Sequence, residues 1–295
     1  MMAEGLLIKG YNGFYYVKSG DIVWTCSLRG KFRIQKQTFL PGDRVRFTAI
    51  DAAKMTGVIE EVLARRNELL RPPVANVDRA IITFAASNPK PDLLLLDRIL
   101  LQVMASDICP VICFNKCDLT AKEEAEALSA PYQNAGFHTL LVSAETGEGL
   151  AALKAEISGH IIIMAGPSGV GKSSLLNGLD PGFHLETGEL SKKVERGKHT
   201  TRKVELLPLE NNTYIGDTPG FSNLVLPMGI DKENLIEYYP EFQSYREKCP
   251  YKSCLHYKER DCALKDAVEE GMLDRGRYER YCIFLAELTE REGKY

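Results

Sequence analysis

Apolar and polar positions along the chain change rhythm twice. Up to about residue 70 the runs are short and separated by turn residues. Leu6–Lys9 and Phe14–Lys18 flank Tyr11-Asn12-Gly13, and Asn-Gly accepts positive φ cheaply, so this pair predicts a hairpin. Ile22–Leu28, Arg33–Gln37, Arg44–Thr48 and Thr56–Leu63 read as further strands, punctuated by Arg29-Gly30-Lys31 and Pro41-Gly42-Asp43. Several short strands without a convincing helix predict a small barrel of SH3-like or OB type. Arg71-Pro72-Pro73 then breaks the pattern and is expected to be a stiff linker.

From Val77 strands alternate with helices. Ala80–Ala85, Pro110–Phe114, Thr139–Val142 and Ile161–Met164 are apolar enough for buried strands. Between them lie helical stretches at Leu93–Met104, Ala121–Asn134 and Leu150–Ile157. This βαβ rhythm predicts a parallel, doubly wound sheet with ligands at the carboxyl ends of its strands. Val204–Pro208 and Thr213–Gly216 read as a strand pair turning at Glu210-Asn211-Asn212. After Pro227 the chain is polar and helical, and in Asp274–Glu290 the spacing of Tyr278, Tyr281, Leu285 and Leu288 makes one apolar face. The expected fold is multidomain α/β, divided into 1–71 (OB-like barrel), 72–226 (nucleotide-binding domain) and 227–295 (helical metal-binding domain).

Composition changes this picture little. With 44% hydrophobic and 26% charged residues the chain is that of an ordinary globular protein. No apolar stretch approaches the ~20 residues of a membrane span, and the first residues lack the basic and apolar regions of a signal peptide, so no membrane partner and a cytoplasmic location are expected. The net charge of -3 is uneven, because residues 1–70 carry eleven Lys+Arg against seven Asp+Glu. A locally basic domain on an acidic chain suits a polyanionic partner. Eight cysteines in a reducing compartment argue against a disulfide framework.

The chemistry is concentrated in a few loops. Gly166-Pro167-Ser168-Gly169-Val170-Gly171-Lys172-Ser173 fits the phosphate-loop pattern, between the apolar strand Ile161–Met164 and the helical Ser174–Leu179. Its glycines let backbone N–H groups converge on phosphate at a helix N-terminus. Lys172 would pair with β/γ oxygens, and Ser173 would ligate Mg²⁺. The loop also resembles that of guanylate-type kinases, so by itself it leaves a phosphotransferase open. Asn115-Lys116-Cys117-Asp118, directly after Pro110–Phe114, favours a GTPase: the Asp118 carboxylate can accept from guanine N1–H and N2–H₂ together. Asn115 and Lys116 would brace the base and the neighbouring loop, and Ser143-Ala144 would offer a backbone N–H to guanine O6.

Asp217-Thr218-Pro219-Gly220 adds a position for a water-mediated Mg²⁺ contact at Asp217 and a γ-phosphate-sensing N–H at Gly220. Thr201, in preference to Thr200, is expected to close over Mg²⁺ and γ-phosphate. Ordinary GTPases carry the phosphate loop first and the guanine loop near the end. Here the guanine loop precedes the phosphate loop, a circular permutation joined through about Ile157–Ile161. The segment after Asp217 therefore leads straight into the C-terminal part.

Cys249-x₄-Cys254-x-His256-x₅-Cys262 supplies three thiolates and one imidazole, a closed set suited to one structural Zn²⁺. In the barrel, Phe14, Tyr15, Tyr16, Trp24 and Phe32 interleave with Lys18, Arg29, Lys31, Arg33 and Lys36. That mixture suits RNA, although any single aromatic serves equally as barrel core. A second basic run, Lys192, Lys193, Arg196, Lys198, Arg202 and Lys203, is either an RNA contact or a solvated loop.

On these motifs the chain resembles the ribosome small-subunit-dependent GTPase A family, in its permuted order, N-terminal barrel, Gly42-Asp43-Arg44-Val45 and cysteine cluster. The resemblance implies a GTPase binding GTP and GDP, acting on the 30S subunit and its 16S rRNA late in maturation, stimulated by that subunit and monomeric. It implies an OB domain that binds RNA. It also implies that His199 orients the attacking water, since Phe221 stands where many GTPases have glutamine. The alternative for His199 is a solvated loop residue beside Lys198 and Arg202. A different class of reading, an RNA-binding scaffold with negligible turnover, is separated from a GTPase by measuring hydrolysis.

Overall fold

A computed structural model describes residues 2–30, 32, 38–70, 73–180, 182, 205–216 and 225–293. Strands β1 (Met2–Tyr11), β2 (Phe14–Ser19), β3 (Ile22–Leu28), β4 (Arg44–Asp51) and β5 (Thr56–Val62) close a barrel in the order β1-β2-β3-β5-β4. β3 and β5 run parallel and every other neighbour is antiparallel. This is the OB arrangement rather than the SH3-like one. The hairpin falls at Asn12-Gly13, both with positive φ. Leu7, Val17, Cys26, Phe32, Val45, Phe47 and Ile59 fill the interior, and Trp24 leans on Phe47 at 5.4 Å. The expected strand Arg33–Gln37 lies outside the described residues.

Of the expected linker Arg71-Pro72-Pro73 only Pro73 lies among the described residues, and it is paired. β6 (Glu68–Leu70) and β7 (Pro73–Ala75) form an antiparallel ribbon, and Ala75 N–H donates to Pro41 O at 2.9 Å. Pro73 is tolerated there because a two-stranded ribbon has an outer edge needing no donor. Arg65 reinforces the junction with Nε 2.7 Å from the fully buried Asp43.

The central sheet is six-stranded: β10 (His138–Leu141), β9 (Cys109–Asn115), β8 (Arg79–Ala85), β11 (Ile161–Ala165), β13 (Tyr214–Gly216) and β12 (Leu206–Pro208). All neighbours are parallel except β12 on β13. β8 and β11 are buried on both faces, which is why they read as apolar runs rather than alternations. Helices α1 (Leu93–Met104) and α2 (Lys122–Asn134) supply Leu96, Ile99, Leu100, Val103 and Tyr132 to one core. On the other face α3 (Leu150–Ile157) and α4 (Lys172–Leu179) supply Leu153, Ile157, Leu175, Leu176 and Leu179.

The C-terminal part holds α5 (Gln243–Arg246), α6 (Ala263–Glu269) and α7 (Arg275–Glu292). Asp274 caps α7 by accepting from Arg277 N–H at 2.7 Å. Tyr281, Leu285 and Leu288 are buried as the apolar face required. Their core also contains Leu101 of α1, so this part has no separate interior of its own. The two parts are joined by charge as well. Arg277, 2% exposed, places Nη1 2.9 Å from Asp97 of α1 and donates from Nε to Glu241 at 2.8 Å. Arg280 donates to the other Asp97 oxygen at 2.5 Å, and Arg98 pairs with both oxygens of Glu287. Burial alone would lower the pKa of the Arg277 guanidinium, but Asp97 and Glu241 more than offset it and hold its proton.

Candidate nucleotide site and metal centre

Three strands end side by side, and their loops make one site. β11 runs into the phosphate loop, where Gly166, Gly169 and Gly171 all take positive φ. A Cβ on Gly166 would lie 2.0 Å from Thr83 O, and one on Gly171 2.3 Å from Asn115 Nδ2, so both must be glycine for this close approach. α4 begins at Lys172, with Gly171 as its N-cap. The Lys172 ammonium folds back over the loop, donating to Gly166 O at 2.9 Å and Pro167 O at 2.6 Å. Burial lowers its pKa to about 8. Ser173 and Val170 are buried, and Ser174 is half-buried at the first turn of the helix.

β9 delivers Asn115, 1% exposed, between the two halves of the site. Its Nδ2 donates to Val170 O at 2.9 Å, and its Oδ1 accepts from Ala144 N–H at 3.0 Å. Lys116, in the left-handed region at φ 62°, stretches Nζ to Gly169 O and Asn88 O, both at 2.8 Å. Asp118 is exposed and accepts from the Ser143 hydroxyl at 2.5 Å. The Ser143 N–H donates to Glu148 O and the Ala144 N–H to Asn115, so the backbone N–H expected to face O6 has a partner within the protein whichever of the two supplies it. What Ser143 does visibly is orient the Asp118 carboxylate through its hydroxyl.

Asn115, Lys116, Asp118, Ser143, Ala144 and the loop Gly166–Ser174 are thus brought together. Thr200, Thr201, His199, Asp217, Gly220, Phe221 and the basic run Lys192–Lys203 lie outside the described residues. Sequence reasoning missed Asn88, whose carbonyl holds Lys116. It also missed the hydroxyl contact of Ser143. Asn88 belongs to no motif, and for Ser143 the motif pointed to the backbone N–H rather than to the hydroxyl that meets Asp118.

A second site lies beside α7. Cys249 Sγ and Cys254 Sγ stand 3.8 and 4.0 Å from Cys262 Sγ. His256 Nδ1 is 3.4 Å from Cys249 Sγ and 3.3 Å from Cys262 Sγ, and all four ligand atoms lie within 4.8 Å of one another. A tetrahedron with Zn–S of ~2.3 Å requires S···S separations of about 3.8 Å, so the donor set fits. Burial pushes the Cys254 thiol up to about 12 and the Cys262 thiol up as well, and it holds the His256 imidazole down. A central cation is what would let the three thiols ionise together. Tyr278 and Tyr281 of α7 donate to the His256 and Leu255 carbonyls at 2.8 and 3.0 Å, and Glu259 accepts from Leu255 and Tyr257 N–H.

A phosphate loop and a guanine-type loop side by side on a doubly wound sheet, with the guanine loop earlier in the chain, define a circularly permuted GTPase. The chain belongs to the RsgA GTPase family: the model described as RsgA GTPase matches residues 62–227, and that for the RsgA N-terminal domain matches 4–59. It is 49% identical over 292 residues to the small ribosomal subunit biogenesis GTPase RsgA of Moorella thermoacetica, covering 99% of both chains. It is 46% identical to the RsgA of Geobacillus thermodenitrificans over 297 residues, covering both completely. Among solved structures it is similar to YjeQ from Thermotoga maritima, with TM-score 0.84, 34% identity and 98% and 99% of the two chains covered. It is also similar to YloQ, described as a circularly permuted GTPase, with TM-score 0.81, 36% identity and 99% and 96% covered. The protein is a GTP hydrolase, and membership of the family carries the use of guanine nucleotide and Mg²⁺. Among the described residues no helix is long and apolar enough to cross a membrane.

Proposed function

We propose that this GTPase binds the small ribosomal subunit and hydrolyses GTP to GDP and phosphate during late 30S maturation. The observation that carries the reading is full-length similarity to small ribosomal subunit biogenesis GTPases, covering barrel, nucleotide domain and C-terminal part together. In this reading Asp118, oriented by Ser143, recognises the guanine edge, and Asn115 ties the base loop to the phosphate loop. Lys172 leaves its two loop carbonyls for the β/γ oxygens, since a phosphate offers a buried ammonium the opposite charge it lacks. Ser173, Thr201 and Asp217 hold Mg²⁺, which neutralises developing phosphate charge. Gly220 senses the γ-phosphate and His199 positions the attacking water.

Cys249, Cys254, His256 and Cys262 hold one structural Zn²⁺ whose work is to fold the knuckle against α7. The chain is read as 1–71, 72–226 and 227–295, the last docked on the second through a shared core, with the barrel contacting 16S rRNA and the protein acting as a cytoplasmic monomer. The test is GTP turnover with and without purified small subunits. Stimulation by small but not large subunits is expected, and equal rates with both, or with neither, would overturn the reading.

A further inference from the structure

His256 differs from the three cysteines of the metal centre in its backbone. It takes φ 58°, the left-handed region that a residue with a Cβ keeps only when its surroundings hold it there. Four contacts supply that hold. The half-buried carboxylate of Glu259 accepts from Leu255 N–H at 2.7 Å on one oxygen and from Tyr257 N–H at 2.9 Å on the other. Tyr281 Oη donates to Leu255 O at 3.0 Å, and Tyr278 Oη donates to His256 O at 2.8 Å. Three side chains thus grip both sides of the peptide chain that carries the imidazole.

Each holder is itself fixed. Lys265 of α6 donates to Glu259 O at 2.8 Å. Burial raises the Glu259 carboxyl, but the N–H groups of Leu255, Glu259 itself, Tyr257 and Lys258 more than offset this and hold it below the ordinary carboxylate value, so it accepts as an anion. Tyr278 and Tyr281 are three apart on α7, and each directly follows an arginine, Arg277 or Arg280, whose pair with Asp97 docks the helix on α1.

The ring gives this cradle its purpose. Nδ1 is 3.4 Å from Cys249 Sγ and 3.3 Å from Cys262 Sγ, close to the ~3.5 Å between nitrogen and sulfur on one tetrahedral zinc. Nε2 is buried and has no hydrogen-bond partner among the described residues. A metal-binding histidine is ordinarily oriented by a hydrogen bond from its other nitrogen to a carboxylate or carbonyl. With Nε2 unpartnered, the orientation of His256 comes from its gripped backbone instead.

We infer that Glu259, Tyr278 and Tyr281 are positioning residues for the metal centre: by holding the backbone from Leu255 to Tyr257, they keep His256 left-handed with Nδ1 as the metal-binding nitrogen. This rests on the reading that Cys249, Cys254, His256 and Cys262 hold one Zn²⁺.

The test uses the full chain. Nitrogen NMR of histidine-labelled, zinc-loaded protein reads which ring nitrogen of His256 carries the metal, and Nδ1 metallated with the proton on Nε2 is expected. Competition with a chromogenic chelator then measures zinc affinity. Glu259→Ala and the Tyr278→Phe/Tyr281→Phe double variant should each bind zinc on the order of tenfold to a hundredfold more weakly. Glu259→Gln, which keeps one acceptor oxygen, should recover part of the loss. Visible absorption of bound Co²⁺, which reports the geometry of its donors, should shift in both weakened variants. Tyr257→Phe is the control, since it removes an exposed hydroxyl from the same knuckle and leaves the four contacts in place. Amide exchange across α7 verifies that the helix stays docked, as the pairs at Asp97 and Glu287 are untouched. A metal on Nε2 overturns the proposal, and so do unchanged affinity and absorption in both variants, or an equal loss in Tyr257→Phe. Failure of the unaltered chain to bind zinc would instead overturn the reading of the four ligands on which the proposal rests.

Discussion

Asp97→Ala is the most informative single perturbation of this fold. The Asp97 carboxylate is 1% exposed and faces two guanidinium groups of α7, Arg277 at 2.9 Å and Arg280 at 2.5 Å. Removing it leaves Arg277, 2% exposed, with Glu241 as its remaining counter-charge, stacked over Tyr239 at 4.6 Å. Breaking a buried pair from one side costs roughly 3–5 kcal/mol, because the surviving charge stays desolvated. Glu241 compensates in part, so the lower end, about 3 kcal/mol, is expected. That corresponds to roughly a hundredfold increase in the opening equilibrium of α7. Native-state amide exchange across Arg277–Leu288 reads this directly. Barrel amides at Leu7 and Phe47 should keep their protection, and the fluorescence of Trp24, the chain's one tryptophan, should not move. Lys122→Ala, which removes an exposed i,i+4 pair with Glu126, should change stability by no more than about 0.5 kcal/mol. If Asp97→Ala accelerates exchange in α7 by less than about tenfold, the network is not what holds the C-terminal part to the nucleotide domain.

Three further outcomes are expected. Asn115→Ala removes both the contact to Val170 O and the acceptor for Ala144 N–H, and should weaken guanine-nucleotide binding by roughly 2–4 kcal/mol, about 30- to 1,000-fold, in a calorimetric titration. Because burial lowers the Lys172 pKa to about 8 and only the ammonium pairs with phosphate, affinity should be level below about pH 7 and roughly halved at pH 8. Between pH 8 and 9 it should fall toward tenfold per unit, with proton uptake on binding near pH 8, and Lys172→Met should flatten the profile. In the nucleotide-free protein the sign for folding is the opposite: the cost of burying the ammonium is fully present below pH 8 and is relieved as pH rises toward ~10.4. Metal analysis should find one zinc per chain, and Cys262→Ser or a strong chelator should abolish amide protection around Leu255–Tyr257 while the barrel keeps its own.

Much of this protein is decided locally and is therefore legible in the sequence. Glycines at positive φ, an Asn-Gly hairpin, strands ending in polar loops and a 3.6-residue apolar period all act over a few neighbours. For that reason β8, β9, β11, α1 and α7 fall within a residue or two of expectation, and the residues of the two loops and the metal cluster could be named in advance. The permuted order of motifs is likewise a property of the chain itself. Tertiary structure alone decided what lies far apart in sequence: closure of β1 on β4, the hold of Pro41 O on the Ala75 N–H, and Asn115 spanning two loops. The buried Arg277 is the sharpest case. Arginine reads as surface in any local pattern, and only the packing of α7 on α1 supplies Asp97, 180 positions earlier, to make a desolvated charge stable.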